Sequence, residues 1–127
     1  SITGTNGRDT LVGTAGDDVL VGGQGADTLT GGAGRDVFVF NNMRDAIDTI
    51  TDFTPQLDQV SLAGLLDSIS YTGANPFNEG YARLTTVGGD LHLQIDADGN
   101  GAGVYKTLAI LKGVQLNTLD IARDFVW

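Results

Sequence analysis

Between Gly4 and Phe40 one nine-residue phrase is written four times: GTNGRDTLV, GTAGDDVLV, GGQGADTLT and GGAGRDVFV. The first position is always glycine (Gly4, Gly13, Gly22, Gly31), and so is the fourth (Gly7, Gly16, Gly25, Gly34). The sixth is aspartate (Asp9, Asp18, Asp27, Asp36), and the eighth is large and apolar (Leu11, Leu20, Leu29, Phe38). A Gly/Asp-rich flexible linker keeps no hydrophobic column, so the phrase is a structural unit. The register also runs backwards. Ile2, flanked by Ser1 and Thr3, falls where an earlier phrase would end, and the expectation is a chain that is part of a longer array.

The Gly- and Asp-rich start of each phrase is unsuited to a helix or a strand interior, whereas Val19-Leu20-Val21 and Val37-Phe38-Val39 favour strands. Each phrase therefore reads as a turn followed by a very short strand. Such a strand buries nothing alone. Two consecutive phrases make one coil with a strand on each side, and stacked coils pair their strands in parallel about 4.8 Å apart. The turns of the first and third phrases then stack on one flank, those of the second and fourth on the other. The eighth-position side chains point between the two sheets as the core.

The same stacking brings Asp9 near Asp27, and Asp18 near Asp36. Two carboxylates roughly 5 Å apart at an effective dielectric of about 20 repel by about 3 kcal/mol, so a cation belongs between them. Glycine lets the turn backbone aim carbonyl oxygens inward, and carboxylates plus carbonyls form an oxygen cage suited to a hard cation with six to eight ligands. With no cysteine and one histidine, soft metals have few ligands to choose from. The ion expected is calcium.

The phrase resembles the RTX nonapeptide, G-G-x-G-x-D followed by x, a large apolar residue and x. The resemblance implies an all-β fold, a parallel β-roll with calcium between successive turns. It implies ligands from the carboxylates of Asp9, Asp18, Asp27 and Asp36. The remaining ligands implied are at the first and third positions, Gly4 and Asn6, Gly13 and Ala15, Gly22 and Gln24, Gly31 and Ala33. Thr5 and Thr14 depart from the pattern by standing where it has glycine, which bears on the backbone conformation there and leaves the carboxylates in place.

At 127 residues the chain is one domain, or one domain with an array grafted on. Ten of its 19 glycines lie between Gly4 and Gly34, and the remainder has ordinary globular composition. A net charge of −9 argues against nucleic acid or anionic membranes as partners and for cations. The absence of cysteine leaves metal to supply the cross-links. No apolar run approaches the roughly 18 residues of a spanning helix, so no membrane insertion is expected. The expected division is a calcium-binding roll over residues 1–40 and a β-rich capping region over residues 41–127.

After the repeats, Asn41 to Ala46 reads as a turn, and Asp48 to Phe53 as a strand with its carboxylates pointing out. A break at Pro55 precedes a short strand over Gln59 to Leu62 and a turn or two of helix over Leu62 to Ile69. The run IDTITDFTPQLDQVSLAGL resembles the segment that follows the repeats in serralysin-type proteases and large RTX adhesins, where it wraps the end of the roll. On that likeness Asp45, Asp48, Asp52 and Asp58 are candidates to complete terminal calcium sites, against the alternative of solvated loop acids. Tyr81 to Val87 and Leu91 to Ile95 alternate about Gly88-Gly89, a hairpin signal. Thr107 to Lys112 reads as a further strand and Asn117 to Arg123 as a short helix. The loop DADGNG, Asp96 to Gly101, resembles the front of an EF-hand but lacks the bidentate glutamate at its twelfth position, where Thr107 stands. Asp96, Asp98 and Asn100 are kept as a second candidate calcium site beside the reading of a polar hairpin loop.

No catalytic constellation is present: no paired zinc histidines, nucleophile elbow or phosphate loop. The expectation is a non-enzymatic module for calcium-dependent folding and type I secretion, secreted or at the cell surface, from an adhesin or exoenzyme. The end Asp124-Phe125-Val126-Trp127 resembles the uncleaved C-terminal signal of proteins exported through type I channels, which makes the secretion apparatus a transient partner. The bland alternative is that Phe125 and Trp127 pack into the cap. Two other functions are open to a repeat chain of this kind. A polysaccharide-binding module wants a basic stripe or aromatic platform, and an ice-binding solenoid wants a long flat rank of Thr and Asn. The sequence offers neither clearly.

Overall fold

The computed structural model of the protein describes residues 1–99 and 104–127. The repeats supply β1 (Ile2–Thr3), β2 (Thr10–Val12), β3 (Val19–Val21), β4 (Thr28–Thr30) and β5 (Val37–Val39). Strands and short helices follow: β6 (Asp48–Ile50), β7 (Gln59–Ser61), α1 (Ala63–Ser68), β8 (Ala82–Val87), β9 (Asp90–Ile95), β10 (Lys106–Leu111), α2 (Ile121–Asp124) and β11 (Phe125–Val126). Alternate strands go to opposite sheets, in the orders β1-β3-β5-β7-β11 and β2-β4-β6-β10-β9-β8. All repeat strands pair in parallel, Leu11 with Leu29 and Leu20 with Phe38, so the eighth-position column is in register. This is the β-roll expected from the period.

Both sheets run on past residue 40. β6 continues the pairing on β4 and β7 that on β5, then β10 and β11 add to them in parallel. The antiparallel hairpin β8–β9, turned at Gly88-Gly89, finishes the larger sheet. Leu20, Leu29, Phe38, Ile50, Val60, Leu93 and Leu111 are fully buried between the sheets. Ile2 and Leu11 are only half-buried, because the first coil is covered from one side.

Several expectations need correcting. The strand expected over Asp48 to Phe53 stops at Ile50, and its carboxylates do not point out: Asp48 is 1 % exposed. Asp48 opens β6 level with Asp27, since Thr49 pairs with Thr28, so it inherits the inward direction of the repeat aspartates. The helix expected over Asn117 to Arg123 is split into a 3-10 turn at Leu116–Thr118 and α2, with Leu119 and Asp120 extended between them. Among the described residues no helix is long and apolar enough to cross a membrane.

Candidate metal centre

Each aspartate of the sixth column stands directly before its strand, where the turn closes. The carboxylates of Asp27 and Asp36 reach the coil stacked on their N-terminal side: Asp9 N donates to Asp27 Oδ1 at 2.8 Å, and Asp18 N to Asp36 Oδ1 at 2.9 Å. Two aspartates outside the repeats make the same bond. Asp27 N donates to Asp48 Oδ1 at 2.8 Å and Asp36 N to Asp58 Oδ1 at 2.9 Å. Two ladders result, Asp9-Asp27-Asp48 and Asp18-Asp36-Asp58.

The second carboxylate oxygens divide by repeat. In the first two repeats Thr5 N and Thr14 N donate to Asp9 Oδ2 and Asp18 Oδ2, each at 2.7 Å, and both threonine hydroxyls donate to the same carboxylates. Gly23 and Gly32 stand at the equivalent position of the other two repeats with φ of +82° and +86°, a conformation that threonine avoids. There Asp27 Oδ2 and Asp36 Oδ2 are buried with no hydrogen-bond partner. The threonine departures thus change which atoms satisfy the carboxylates as well as the backbone path.

Burial pushes the carboxyls of Asp27, Asp36, Asp48 and Asp58 above the ordinary range, Asp48 to about 8, and the N–H bonds they accept only partly offset this. Neighbouring negative charge adds to the rise, from Asp9 and Asp45 at Asp27 and from Asp27 and Asp45 at Asp48. Orphaned, buried carboxylate oxygens in a row of like charges are the mark of a site short of a cation.

The turn backbone fits the same ion. Among the described residues no N–H donates to the carbonyls of Gly4, Asn6, Gly13, Ala15, Gly22, Gln24, Gly31 or Ala33. A methyl placed on Gly22 would sit 2.5 Å from Asp27 Oδ2 and 3.2 Å from Asp48 Oδ2, so the glycine leaves room for oxygens to converge. Among the described residues no three Asp, Glu or His side chains gather closely enough to hold an ion by themselves. Carbonyls must complete any cage, and the donor set is oxygen only, as a hard cation prefers.

The other candidates fare differently. Asp45 is 4 % exposed, and its Oδ2 accepts Asn41 N at 2.9 Å. Asp52, expected to point outward, instead accepts Gly31 N at 2.9 Å and Gly32 N at 2.8 Å. It thereby pins the fourth turn from above. Asp96 is buried, with Oδ1 accepting Asp98 N at 3.1 Å and Oδ2 unpartnered, whereas Asp98 is exposed and Asn100 lies outside the described residues.

Sequence reasoning missed Asp17, whose Oδ1 accepts Arg35 N at 2.8 Å, and gave no role to Arg123. The pairing of Asp58 with Asp36 had a signal: Asp58 stands directly before Gln59-Val60-Ser61, as each repeat aspartate stands before its triplet. At the C-terminal end Phe125 is buried against Phe77, and Trp127 Nε1 donates to Ala74 O at 2.8 Å, so both aromatics pack into the cap.

Comparison with known proteins agrees with this geometry. The family described as RTX calcium-binding nonapeptide repeat matches in four copies over residues 3–38. No curated protein sequence matches the chain. The solution structure of the AlgE6R3 subunit from the Azotobacter vinelandii mannuronan C5-epimerase is similar at 23 % identity and a TM-score of 0.51, over 97 % of this chain and 80 % of that one. At such identity the likeness is one of fold. Residues 3–38 are therefore an RTX calcium-binding nonapeptide repeat region, wound as a parallel β-roll.

Proposed function

We propose that the protein is a calcium-dependent folding module of an exported RTX protein, one whose repeats stay unfolded until they meet extracellular calcium. The observation that carries this reading is the pair of buried, unpartnered oxygens Asp27 Oδ2 and Asp36 Oδ2, each in a row of carboxylates. On one flank the ligands would be the carboxylates of Asp9 and Asp27 with carbonyls of Gly4, Asn6, Gly22 and Gln24. On the other they would be Asp18 and Asp36 with Gly13, Ala15, Gly31 and Ala33. Asp45 and Asp48 would close the first flank.

Bound calcium supplies positive charge and a cross-link between turns. The chain's own residues do the rest. The aspartates hold adjacent coils through their N–H bonds, and the glycines keep side chains out of the space between turns. The apolar column binds the two sheets. Without the ion, the repulsion within each ladder opposes a core that is one side chain thick, and the repeats lose their fold. Extracellular modules bind calcium at roughly 0.1–1 mM, well above cytosolic levels, so the repeats are unfolded inside the cell and folded outside.

Circular dichroism and amide exchange in chelator and in millimolar calcium test this. Calcium should raise the strand signal, and repeat protection should appear only with it; identical results in both would overturn the reading. In the export part of the proposal, Asp124–Trp127 are read by a type I channel before folding and become β11 and its aromatic anchor afterwards. A slow-folding reporter fused to residues 1–127, with and without the last four, is expected to be exported only when those four are present. Equal export of both, or of neither, would leave a calcium-binding module alone.

A further inference from the structure

The strand register continues the Asp18-Asp36-Asp58 ladder into one more coil. Val19 pairs with Val37 and Val37 with Gln59, while Phe125 pairs with Val60. Asp18, Asp36 and Asp58 stand two residues before Leu20, Phe38 and Val60, and two residues before Phe125, in α2, stands Arg123. A column of carboxylates thus ends on a cation.

The guanidinium reaches back over the coil on which it stacks. Arg123 Nη2 donates to Leu57 O at 3.2 Å, and Nη1 donates to Asp58 O at 3.5 Å and to Asp124 Oδ1 at 2.7 Å. Asp124 is fully buried, and its carboxylate also accepts Gln56 N at 2.9 Å and Asp120 N at 3.0 Å. Two turn carbonyls and a buried carboxylate around one positive charge is the donor set that the repeats present to an ion. No oxygen is orphaned at this level: Asp58 Oδ2, the counterpart of the unpartnered oxygens of Asp27 and Asp36, accepts Thr54 N at 2.8 Å. The other ladder has no such end, since the residue in register with Asp48 is Ala109.

We propose that Arg123 is a fixed internal cation closing this ladder, so that the coil of residues 56–61 with β11 folds without calcium and gives the repeats a platform to stack on. The proposal rests on the reading of the ladders as calcium sites. Arginine suits the task because its charge is permanent and its planar fork engages two carbonyls and a carboxylate together. Lysine would bring the charge without the fork. A neutral residue would leave Asp124 buried without its charge partner.

Amide exchange on the whole chain separates the two regions. Leu62 N donates to Val126 O at 2.8 Å and reports on the last coil, while Thr28 N and Val37 N, bonded to Asp9 O and Asp18 O at 2.9 and 2.8 Å, report on the repeats. In chelator, wild-type Leu62 is expected to exchange at least about tenfold more slowly than Thr28 and Val37, and calcium should slow only the latter pair. Arg123→Gln should remove the protection of Leu62 in chelator, and Arg123→Lys should keep most of it. The proposal is overturned if wild-type Leu62 exchanges in chelator as fast as the repeat amides, or if R123Q protects it as well as wild type. If R123Q does not fold, R123K decides, and loss of Leu62 protection in R123K as well would exclude charge as the role. Thr28 and Val37 equally protected with and without calcium would instead overturn the calcium reading, and this proposal with it.

Discussion

Across 18 residues of sequence, the backbone N–H of Asp9 lies 2.8 Å from Oδ1 of Asp27, and no comparable bond joins Asp9 to Asp18 in the next repeat. Neighbours in the ladder are repeats two apart. Asp9→Ala and Asp27→Ala should therefore be coupled, by about 1–3 kcal/mol in calcium, while Asp9→Ala and Asp18→Ala should add to within about 0.5 kcal/mol. A double-mutant cycle on thermal or urea unfolding measures both. Equal coupling in the two pairs would contradict the ladder.

Acidity should act in opposite directions with and without calcium. The folded carboxyls of Asp27, Asp36, Asp48 and Asp58 are raised, Asp48 to about 8, against about 3.9 for an unfolded aspartate. The folded state therefore binds more protons, and whatever stability the metal-free chain has is greatest below the unfolded value and is lost as pH rises towards 8. Calcium ligation needs the deprotonated carboxylates, so calcium affinity rises over the same window. Urea midpoints in chelator and in calcium between about pH 5 and 8 should diverge. A metal-free midpoint that climbs with pH would be incompatible with these shifts.

Gly23 combines a φ of +82° with a close neighbour, since a Cβ there would stand 2.6 Å from Thr5 O. Gly23→Ala is expected to lower stability in calcium by more than about 1 kcal/mol. Gly89→Ala is the control, because nothing lies within 4 Å of that position. It should stay within about 0.5 kcal/mol of wild type. A tolerated Gly23→Ala would mean that the third turn does not hold its conformation.

The period of nine made the coil, the two sheets and the aspartate column legible, because strand direction and burial follow from local spacing. What lay beyond the repeats was harder, for a spatial reason. Asp27 meets Asp48 across 21 residues and Asp36 meets Asp58 across 22, where the repeats use 18. Arg123 joins the same column only because β11 returns to β7 over a long excursion. No sequence interval announces those contacts. Thr5 and Thr14 stand in the sequence as plain departures from glycine, yet their hydroxyls donate to the aspartates four residues on. Backbone preference alone does not show that.

Because successive strands go to opposite sheets, the array has parity. Inserting one nonapeptide between β2 and β3 would send β1 and β2 to the other wall of the roll and stack Asp9 on Asp18 in place of Asp27. Inserting two would restore each to its own wall and lengthen the roll by one coil. At the far end the antiparallel hairpin of β8 and β9 ends the parallel stacking of the larger sheet. Within the array, a roll of this design keeps its pairing only when repeats are gained or lost in even counts.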